Sequence, residues 1–253
     1  MNTLVQCQSR YSLETRTRWP WPSLIVEQIA GWMNELPGDV WLDAACGTGQ
    51  LGRVVQGRKQ VIGLDRDEWP LQKAQAHPFY SLIQGSLTTL PLSGSSVDGI
   101  VSIETLEHIP NIETALSECA RCLKHHGYLL LTVPSVTLRS LWDMSRKKHP
   151  VYCCDEEHVR EFSSVDLKGF SHKFEHWKTL EGRFRDQGFR VHRRSGAGFL
   201  LPMWQGRLEW LEHGMNVLYR ESVNAWLGKL PVFRKFPYYL MYVLQFEGRG
   251  RNG

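Results

Sequence analysis

Two neighbouring features of the sequence have the residue types and the spacing to bind a ligand. Gly47, Gly49 and Gly52 fit the G-x-G-x-x-G pattern of a loop that joins a buried strand to a helix. Such a loop presents unpaired N–H groups of the helix start, which in dinucleotide-binding enzymes receive a pyrophosphate. Asp43 lies four residues before the first glycine, at the tip of the expected strand. There its carboxylate would repel a pyrophosphate by on the order of a few kcal/mol.

The same carboxylate becomes favourable if the ligand presents an ammonium group. S-adenosylmethionine is such a ligand, because it carries an amino-acid tail, a sulfonium and a ribose but no phosphate. Asp43 therefore favours a zwitterionic or cationic ligand over a dinucleotide. A purely structural interpretation stays open, in which Asp43 caps the following helix and the glycines serve only close packing.

The elements that must position these residues predict an α/β fold. Apolar runs of strand type alternate with amphipathic helical runs, which indicates a doubly wound, mostly parallel seven-stranded sheet with helices on both faces. The predicted strands are 40–42, 60–64, 80–83, 97–103, 128–133, 189–192 and 238–244. The predicted helices are 23–36, a segment after Gly49, 71–76, 111–124 and a segment around 174–188.

Charge and cysteine usage narrow the class of protein. The 253 residues carry a net charge of +4, and the basic residues form only short clusters, so no nucleic-acid partner is expected. The first residues lack the apolar region of a secretory signal, and no apolar run approaches the roughly 20 residues of a membrane span. We therefore expect a cytoplasmic protein with reduced thiols.

A zinc site is the alternative use of the cysteines. Cys119 and Cys122 could form half of it, with Cys153 and Cys154 as the other half. Cys119 and Cys122, however, fall within a helical pattern, where cysteine packs as a small apolar residue. We predict no metal site.

Three runs of the chain resemble, in order, the motifs of class I S-adenosylmethionine-dependent methyltransferases. They are LDAACGTGQLG, VIGLDRD and IQGSLTTLPLSGSSVDGIVSIETLEHI. The resemblance is strongest to the small-molecule branch that includes quinone-biosynthesis enzymes, and it covers about residues 38 to 134. It implies an enzyme with S-adenosylmethionine as cofactor and a small-molecule acceptor, with oxygen favoured over carbon or nitrogen as the methylated atom. The oligomeric state stays open.

The resemblance implies which residues surround the methionine part of the cofactor. They are Asp43, Ala45, Cys46, Gly47 and Gly49. Ala45 replaces the first loop glycine of the family, so we expect a loop conformation with φ below zero at this position.

The resemblance also implies the nucleoside contacts. Asp65, at the end of the second strand, would accept both ribose hydroxyls, and Arg66 would lie beside the adenine. Ser86 stands where the family usually has an acidic residue that receives the adenine amino group, so the adenine would be held by a neutral hydrogen bond. The N–H of Leu87 and the carbonyl of Ile103 would be further contacts.

The acceptor side is expected after strands four and five, because ligands of doubly wound sheets bind beyond the carboxyl ends of the strands. Glu104, nearest the tip of strand four, is the first candidate for touching cofactor or acceptor. His108 could be a general base or part of a structural turn. His158 lies in an H-x-R-x-F segment and could be a base, with Arg160 binding an anionic acceptor. Both could equally pin the insertion to the sheet.

The chain is expected to have three parts. Residues 1–37 form an N-terminal lid segment, whose aromatic residues could stabilise a sulfonium or simply pack. Residues 38–196 and 238–248 form the cofactor-binding core, with an insertion at 135–173. Residues 197–237 form a helical cap over the acceptor pocket. The apolar face of this cap indicates either a lipophilic acceptor, peripheral membrane contact or a small subdomain packed on itself.

Two other classes of function stay open at this level. One is a methyltransferase-like module that binds the cofactor or a partner without turnover, which the Ser86 substitution and the lack of an evident base would fit. The other, less favoured, is an NAD-dependent oxidoreductase.

Overall fold

The computed structural model describes residues 21–55, 59–75, 80–109, 111–134, 177–197 and 239–248. More than half of the predicted lid segment, the whole insertion at 135–173 and all of the predicted cap except Ala197 lie outside the described residues. His158 and Arg160 lie outside them as well. The predicted core, apart from its insertion, is the part of the chain that the structure describes most fully.

A seven-stranded sheet with the strand order β3-β2-β1-β4-β5-β7-β6 forms the centre of the fold. β7 runs antiparallel to β5 and β6, whereas β1 to β5 pair in parallel. The strands are β1 (Val40–Ala44), β2 (Gln60–Asp65), β3 (Tyr80–Gln84), β4 (Val97–Ile103), β5 (Leu123–Pro134), β6 (Phe189–Ala197) and β7 (Tyr239–Phe246). The predicted fold class, a mostly parallel doubly wound sheet, is confirmed.

Helices cover both faces of this sheet. They are α1 (Trp21–Glu35), α2 (Gln50–Val55), α3 (Glu68–Ala74), α4 (Ile112–Cys122) and α5 (Trp177–Asp186). Of the five, α1 and α2 pack with Trp41, Val61 and Val101 on one face, while α4 and α5 pack with Leu42, Ile100 and Leu129 on the other. Successive strand residues alternate between the two apolar layers, which is why the central strands are apolar almost without interruption.

Several element boundaries differ from the sequence prediction. The predicted helix 111–124 ends at Cys122, because Leu123 has extended dihedral angles and begins β5. β5 therefore starts five residues earlier than expected, and its pairing with β4 shifts register between Val97 and Gly99. His126, at φ +65°, lies within this irregular stretch. β6 extends to Ala197 because it pairs with β7 along its length.

Close packing of Trp41 fixes the spacing of the two central strands. Trp41 is fully buried, and it lies opposite Gly99 in the register of β1 and β4. A Cβ atom at Gly99 would stand 2.3 Å from the Trp41 ring. The ring therefore occupies the space that a side chain on β4 would need.

We predict that Gly99→Ala lowers the free energy of unfolding by about 1 to 3 kcal/mol, because the Trp41 ring must move within a close-packed layer. Denaturant unfolding of the purified variant measures this. Gly31→Ala is the matched control, since a Cβ at Gly31 meets no atom within 4 Å. It lies inside a helix, so the control variant should be as stable as the parent or more stable. Equal unfolding midpoints for the two variants would contradict the packing argument.

Candidate active site

The carboxyl ends of β1, β2 and β4 form one crevice. The strand order reverses between β1 and β4, and such a switch point opens a crevice beyond the strand ends. Asp43 lies next to Gly63 of β2 and Val101 of β4 in the sheet register. Asp65 is the last residue of β2, and Glu104 directly follows β4. Three carboxylates therefore come from adjacent strands to the same edge of the sheet.

Asp43 is a buried carboxylate, only 4% exposed. Its Oδ2 accepts a hydrogen bond of 2.5 Å from the hydroxyl of Tyr80. Burial raises the pKa of Asp43 to about 7, the Tyr80 hydrogen bond opposes this shift, and the nearby Asp65 charge adds to it. Among the described residues no cation contributes to the environment of this carboxyl. An ammonium group of a ligand would supply the missing positive charge.

The glycine loop after β1 turns through three residues with positive φ. Ala45 has φ +65°, Gly47 +54° and Gly49 +78°. The prediction of a negative φ at Ala45 is therefore wrong. The Cys46 N–H donates to the Leu64 carbonyl at 2.9 Å, so the chain must turn towards β2 directly after β1. This turn holds an alanine in the left-handed region, at a cost of about 1 to 2 kcal/mol.

Space beside the loop fits a ligand that approaches the backbone. A Cβ at Gly47 would meet no atom within 4 Å. Cys46, by contrast, is buried, and its Sγ would lie 3.1 Å from a Cβ at Gly63. Burial also raises the pKa of the Cys46 thiol, with the charges of Asp43 and Asp65 adding to the shift. The thiol is therefore a neutral packing group under the loop rather than a nucleophile.

The loop and β2 are joined through the Asp65 carboxylate. Its Oδ2 accepts the Gly47 N–H at 2.9 Å and its Oδ1 accepts the Asp67 N–H at 3.0 Å. Burial raises the pKa of Asp65, and these two hydrogen bonds oppose the shift. Each oxygen of the Asp65 carboxylate can accept a second hydrogen bond. The carboxylate can therefore still accept hydrogen bonds from two hydroxyl groups.

The residues predicted near the adenine lie on the two segments that follow β2 and β3. Arg66 is exposed, and its Nε lies 3.7 Å from Oδ1 of Asp67. The Ser86 Oγ accepts the Thr88 N–H at 3.2 Å and lies 2.8 Å from Thr88 Oγ1. Leu87 is buried. The Ser86 hydroxyl thus forms a local turn of its own, and its contact with an adenine stays a prediction.

A pair of side chains on α4 holds the segment after Ser86. The Arg121 guanidinium donates to the carbonyls of Leu90 and Leu92 at 2.9 Å and 2.8 Å. Glu118 accepts the Leu90 N–H at 2.7 Å and bonds the Arg121 guanidinium. These contacts fix the segment that carries Ser86 and Leu87 to the helix beside it.

Glu104, directly after β4, has a strained backbone. Its φ is +49°, which is uncommon for a residue with a side chain. The Thr132 hydroxyl, fully buried on β5, accepts the Glu104 N–H at 3.0 Å and donates to its Oε1 at 2.6 Å. The Ile103 carbonyl accepts the Thr105 hydroxyl at 3.0 Å, so this predicted cofactor contact already has one partner. Backbone strain of this kind is often found at functional sites.

His108 lies in a short 3-10 turn, Leu106–His108, as the structural interpretation expected. Its N–H donates to the Thr105 carbonyl at 3.0 Å, and its Nε2 lies 3.9 Å from Oε1 of Glu107. The Glu107 side chain is only 5% exposed. The turn gives His108 a structural place in the fold, while His158 lies outside the described residues.

Two polar residues of this site escaped the sequence analysis. Tyr80 begins β3 and reaches Asp43 across β2, and Thr132 of β5 holds Glu104. The sequence signal for Thr132 was a hydroxyl-bearing residue in an apolar run, whereas Tyr80 begins a strand that also holds Ser81 and Gln84 and gave no such signal. In the described part of the chain, no group of three or more His, Cys, Asp or Glu could hold a metal ion.

The arrangement suits a ligand with a cationic amine and a vicinal diol. Asp43 and Asp65 would repel a pyrophosphate bound at the same loop. The Arg66 charge lowers the pKa of Asp65, but no described cation offsets the charge of Asp43. Among the described helices, none is both long and apolar enough to cross a membrane.

Sequence and structure comparisons agree with this chemistry. Residues 42–131 match a protein family described as a methyltransferase domain. A protein of Mycolicibacterium smegmatis named a probable S-adenosylmethionine-dependent methyltransferase is 34% identical over 96 residues, which are 37% of this chain and 37% of that protein. The demethylmenaquinone methyltransferase of Desulfitobacterium hafniense is 33% identical over 105 residues, 37% of this chain and 42% of that protein. This chain thus spans little more than a third of the length of these curated relatives.

A solved structure shares the fold over nearly the whole chain. It is an S-adenosylmethionine-dependent methyltransferase from Thermotoga maritima, with a TM-score of 0.60 and 16% identity. The match covers 97% of this chain and 100% of that one. At this identity the likeness concerns the fold.

Asp43 should make the ligand-free protein less stable as pH rises. Its pKa of about 7 lies above the ordinary value of 3.8, so between these values the folded state binds more protons than the unfolded state. The free energy of unfolding therefore falls as pH rises through this window and stays low above it. We predict that Asp43→Asn removes this loss and is more stable than the parent at pH 8, with a ceiling of about 4 kcal/mol.

Urea unfolding at pH 4, 6 and 8 measures the difference, which should be small at pH 4. Asp98→Asn is a control of opposite sign. Burial raises the pKa of Asp98, but hydrogen bonds from Lys124 and from two backbone N–H groups lower it more, so this variant should lose stability at pH 8. An Asp43→Asn variant that is no more stable than the parent at pH 8 would contradict the assignment.

Proposed function

Because the chain belongs to the class I S-adenosylmethionine-dependent methyltransferases, we propose that it transfers the methyl group of this cofactor to a small, lipophilic metabolite. Asp43 carries the proposal, since it is a buried carboxylate without a described cation beside a glycine loop. We propose that the reaction takes place in the cytoplasm. The atom that accepts the methyl group is an oxygen.

Three groups of residues would hold the cofactor. Asp43 would bind its α-ammonium group, because a buried carboxylate gains most from a cation that arrives with the ligand. Asp65 would accept the two ribose hydroxyls through the lone pairs that the Gly47 and Asp67 N–H groups leave. Ser86 and Leu87 would border the adenine, on the segment that Arg121 holds to α4.

Within this arrangement the protein mainly aligns the reactants. S-adenosylmethionine supplies a methyl group that its sulfonium makes electrophilic. Glu104 would orient the acceptor and take its proton, because it follows β4 at the crevice and Thr132 fixes one of its oxygens. A hydroxyl acceptor would pass its proton to such a group. We favour oxygen over carbon or nitrogen because one relative, 28% identical, is named a ubiquinone biosynthesis O-methyltransferase. His108 would support the turn beneath Glu104.

A lipophilic acceptor is supported by the relatives and by the sequence after β6. The Desulfitobacterium relative is named for demethylmenaquinone, a lipophilic quinone. Residues 198–238 are rich in tryptophan, leucine and phenylalanine. They join β6 to β7, and β7 begins beside the carboxyl end of β5. Contact of this segment with a membrane surface is an alternative use of the same composition.

The two rival functions make different predictions. A binding module without turnover would bind S-adenosylmethionine and transfer no methyl group, but it leaves the strained, Thr132-held Glu104 without a purpose. An NAD-dependent oxidoreductase would bind a pyrophosphate beside the buried Asp43 carboxylate, which electrostatics disfavours.

A labelling experiment tests the proposed function. The protein is incubated with S-adenosylmethionine labelled in its methyl group and with lipid or aqueous metabolite extracts. We expect label in the lipid fraction, released as methyl iodide when hydriodic acid cleaves a methyl ether. Label in the aqueous fraction alone would contradict the lipophilic acceptor, a carbon-bound label would contradict the oxygen acceptor, and cofactor binding without transfer would favour the module.

Glu104→Gln should lower kcat by about 100-fold, because the amide cannot take a proton. Its Kd for S-adenosylmethionine should stay within about twofold of the parent value, since Glu104 is not proposed to bind the ammonium group. Calorimetry and label transfer measure the two quantities. Glu247→Gln is the matched control, because Glu247 follows the antiparallel β7 and lies at the opposite edge of the sheet. Equal kcat values for both variants would remove Glu104 from the mechanism.

A further inference from the structure

Tyr80 connects three elements of the cofactor site. Its hydroxyl donates to Oδ2 of Asp43 at 2.5 Å and accepts the N–H of Gly52 at 2.8 Å. Gly52 lies in the first turn of α2, where helix N–H groups have no partner within the helix. One phenol therefore links the tip of β1, the start of β3 and the first turn of α2.

Two glycines make room for the Tyr80 ring. A Cβ at Gly52 would stand 2.4 Å from the ring, and a Cβ at Gly63 would stand 3.1 Å from it. Gly63 pairs with Asp43 in the register of β1 and β2, so the ring crosses β2 where that strand has no side chain. Gly52 is the third glycine of the G-x-G-x-x-G pattern. In this chain it leaves space for a phenol that reaches the carboxylate.

We propose that Tyr80 is a positioning residue: it holds Oδ2 of Asp43 and thereby leaves Oδ1 for the α-ammonium group of the cofactor. This inference rests on the proposed placement of that ammonium group at Asp43. Among the residues that the structure describes, the Tyr80 hydroxyl supplies the one hydrogen bond to this carboxylate. Its second bond, from Gly52, keeps the phenolic hydrogen directed at Asp43, because the oxygen already accepts the helix N–H.

The other described groups around Asp43 do not favour its ionised form as the Tyr80 hydroxyl does. Burial and the Asp65 carboxylate on β2 raise the pKa of Asp43, and among the described residues only the Tyr80 hydrogen bond lowers it. The Cys46 thiol in the loop after β1 is neutral, since burial raises its pKa. The Tyr80 hydroxyl itself stays protonated, because burial and the Asp43 charge raise its pKa. Loss of the phenol would therefore favour the protonated form of Asp43, which cannot attract an ammonium group.

The test is the pH dependence of binding of S-adenosylhomocysteine, the product that the cofactor becomes after methyl transfer. Calorimetry with S-adenosylhomocysteine between pH 5.5 and 9 should show affinity that rises through about pH 7 as Asp43 ionises. This increase of affinity with pH is the rising limb of the profile. Tyr80→Phe keeps the ring and removes one oxygen. We expect the rising limb to move by about one to two pH units towards alkaline values, because a hydrogen bond to a charged group is lost. Affinity at pH 7 should fall by about 10-fold and recover in part as pH increases.

Controls separate this role from general damage. Tyr128→Phe removes a hydroxyl that accepts a bond from Gln245 on β7, away from the crevice, and should leave the rising limb in place. Gly52→Ala should move the limb in the same direction as Tyr80→Phe, because the new Cβ displaces the ring. A parent-like limb in Tyr80→Phe would overturn the proposal.

Asp43→Asn separates two proposals: the placement of the cofactor ammonium group at Asp43 and the positioning role of Tyr80. If it abolishes the rising limb while Tyr80→Phe leaves the limb unchanged, the cofactor placement stands and the role of Tyr80 fails. If Asp43→Asn binds S-adenosylhomocysteine with the parent affinity and pH profile, the proposed cofactor placement itself fails, and the inference about Tyr80 fails with it.

Discussion

A buried carboxylate at the tip of the central strand β1 is the constraint on which the site depends. Asp43 is 4% exposed and has no described cation around it. Burial disfavours its charge, so the folded protein is left with a group whose best partner is a cation brought by a ligand. This requirement separates the glycine loop of the chain from loops that bind pyrophosphate, although the glycine spacing is the same.

The surrounding structure can be understood as support for that carboxylate and for the loop beside it. Ala45, Gly47 and Gly49 take positive φ values, because the chain must turn from β1 towards β2 before α2 begins. Asp65 ties this loop to the end of β2 through the Gly47 N–H. On the other side of the switch point, Thr132 holds Glu104 in a strained conformation. Rigid strands thus carry the polar groups, and the cost of strain is met by packing elsewhere in the sheet.

Sequence alone was sufficient for the fold class and for the positions of Asp43 and Asp65, because apolar runs define parallel strands and a strand end fixes where its last residue lies. It failed where the answer depends on contacts between distant segments. The sign of φ at Ala45 follows from a bond between Cys46 and β2, and the role of Tyr80 from a hydroxyl that crosses a strand at Gly63. The early start of β5 follows from its pairing with β4. The predicted parts around His158 and residues 197–237 stay predictions.

The central claim is that Asp43 recognises the α-ammonium group of the cofactor, and a thermodynamic cycle tests it most directly. The affinities of S-adenosylhomocysteine and of its analogue without the α-amino group are measured by calorimetry, for the parent protein and for Asp43→Asn. We predict that removal of the amine weakens binding to the parent by about 10- to 100-fold but weakens binding to the variant only slightly, because a charge-assisted contact exists only in the first case. An equal loss in both proteins would contradict the account.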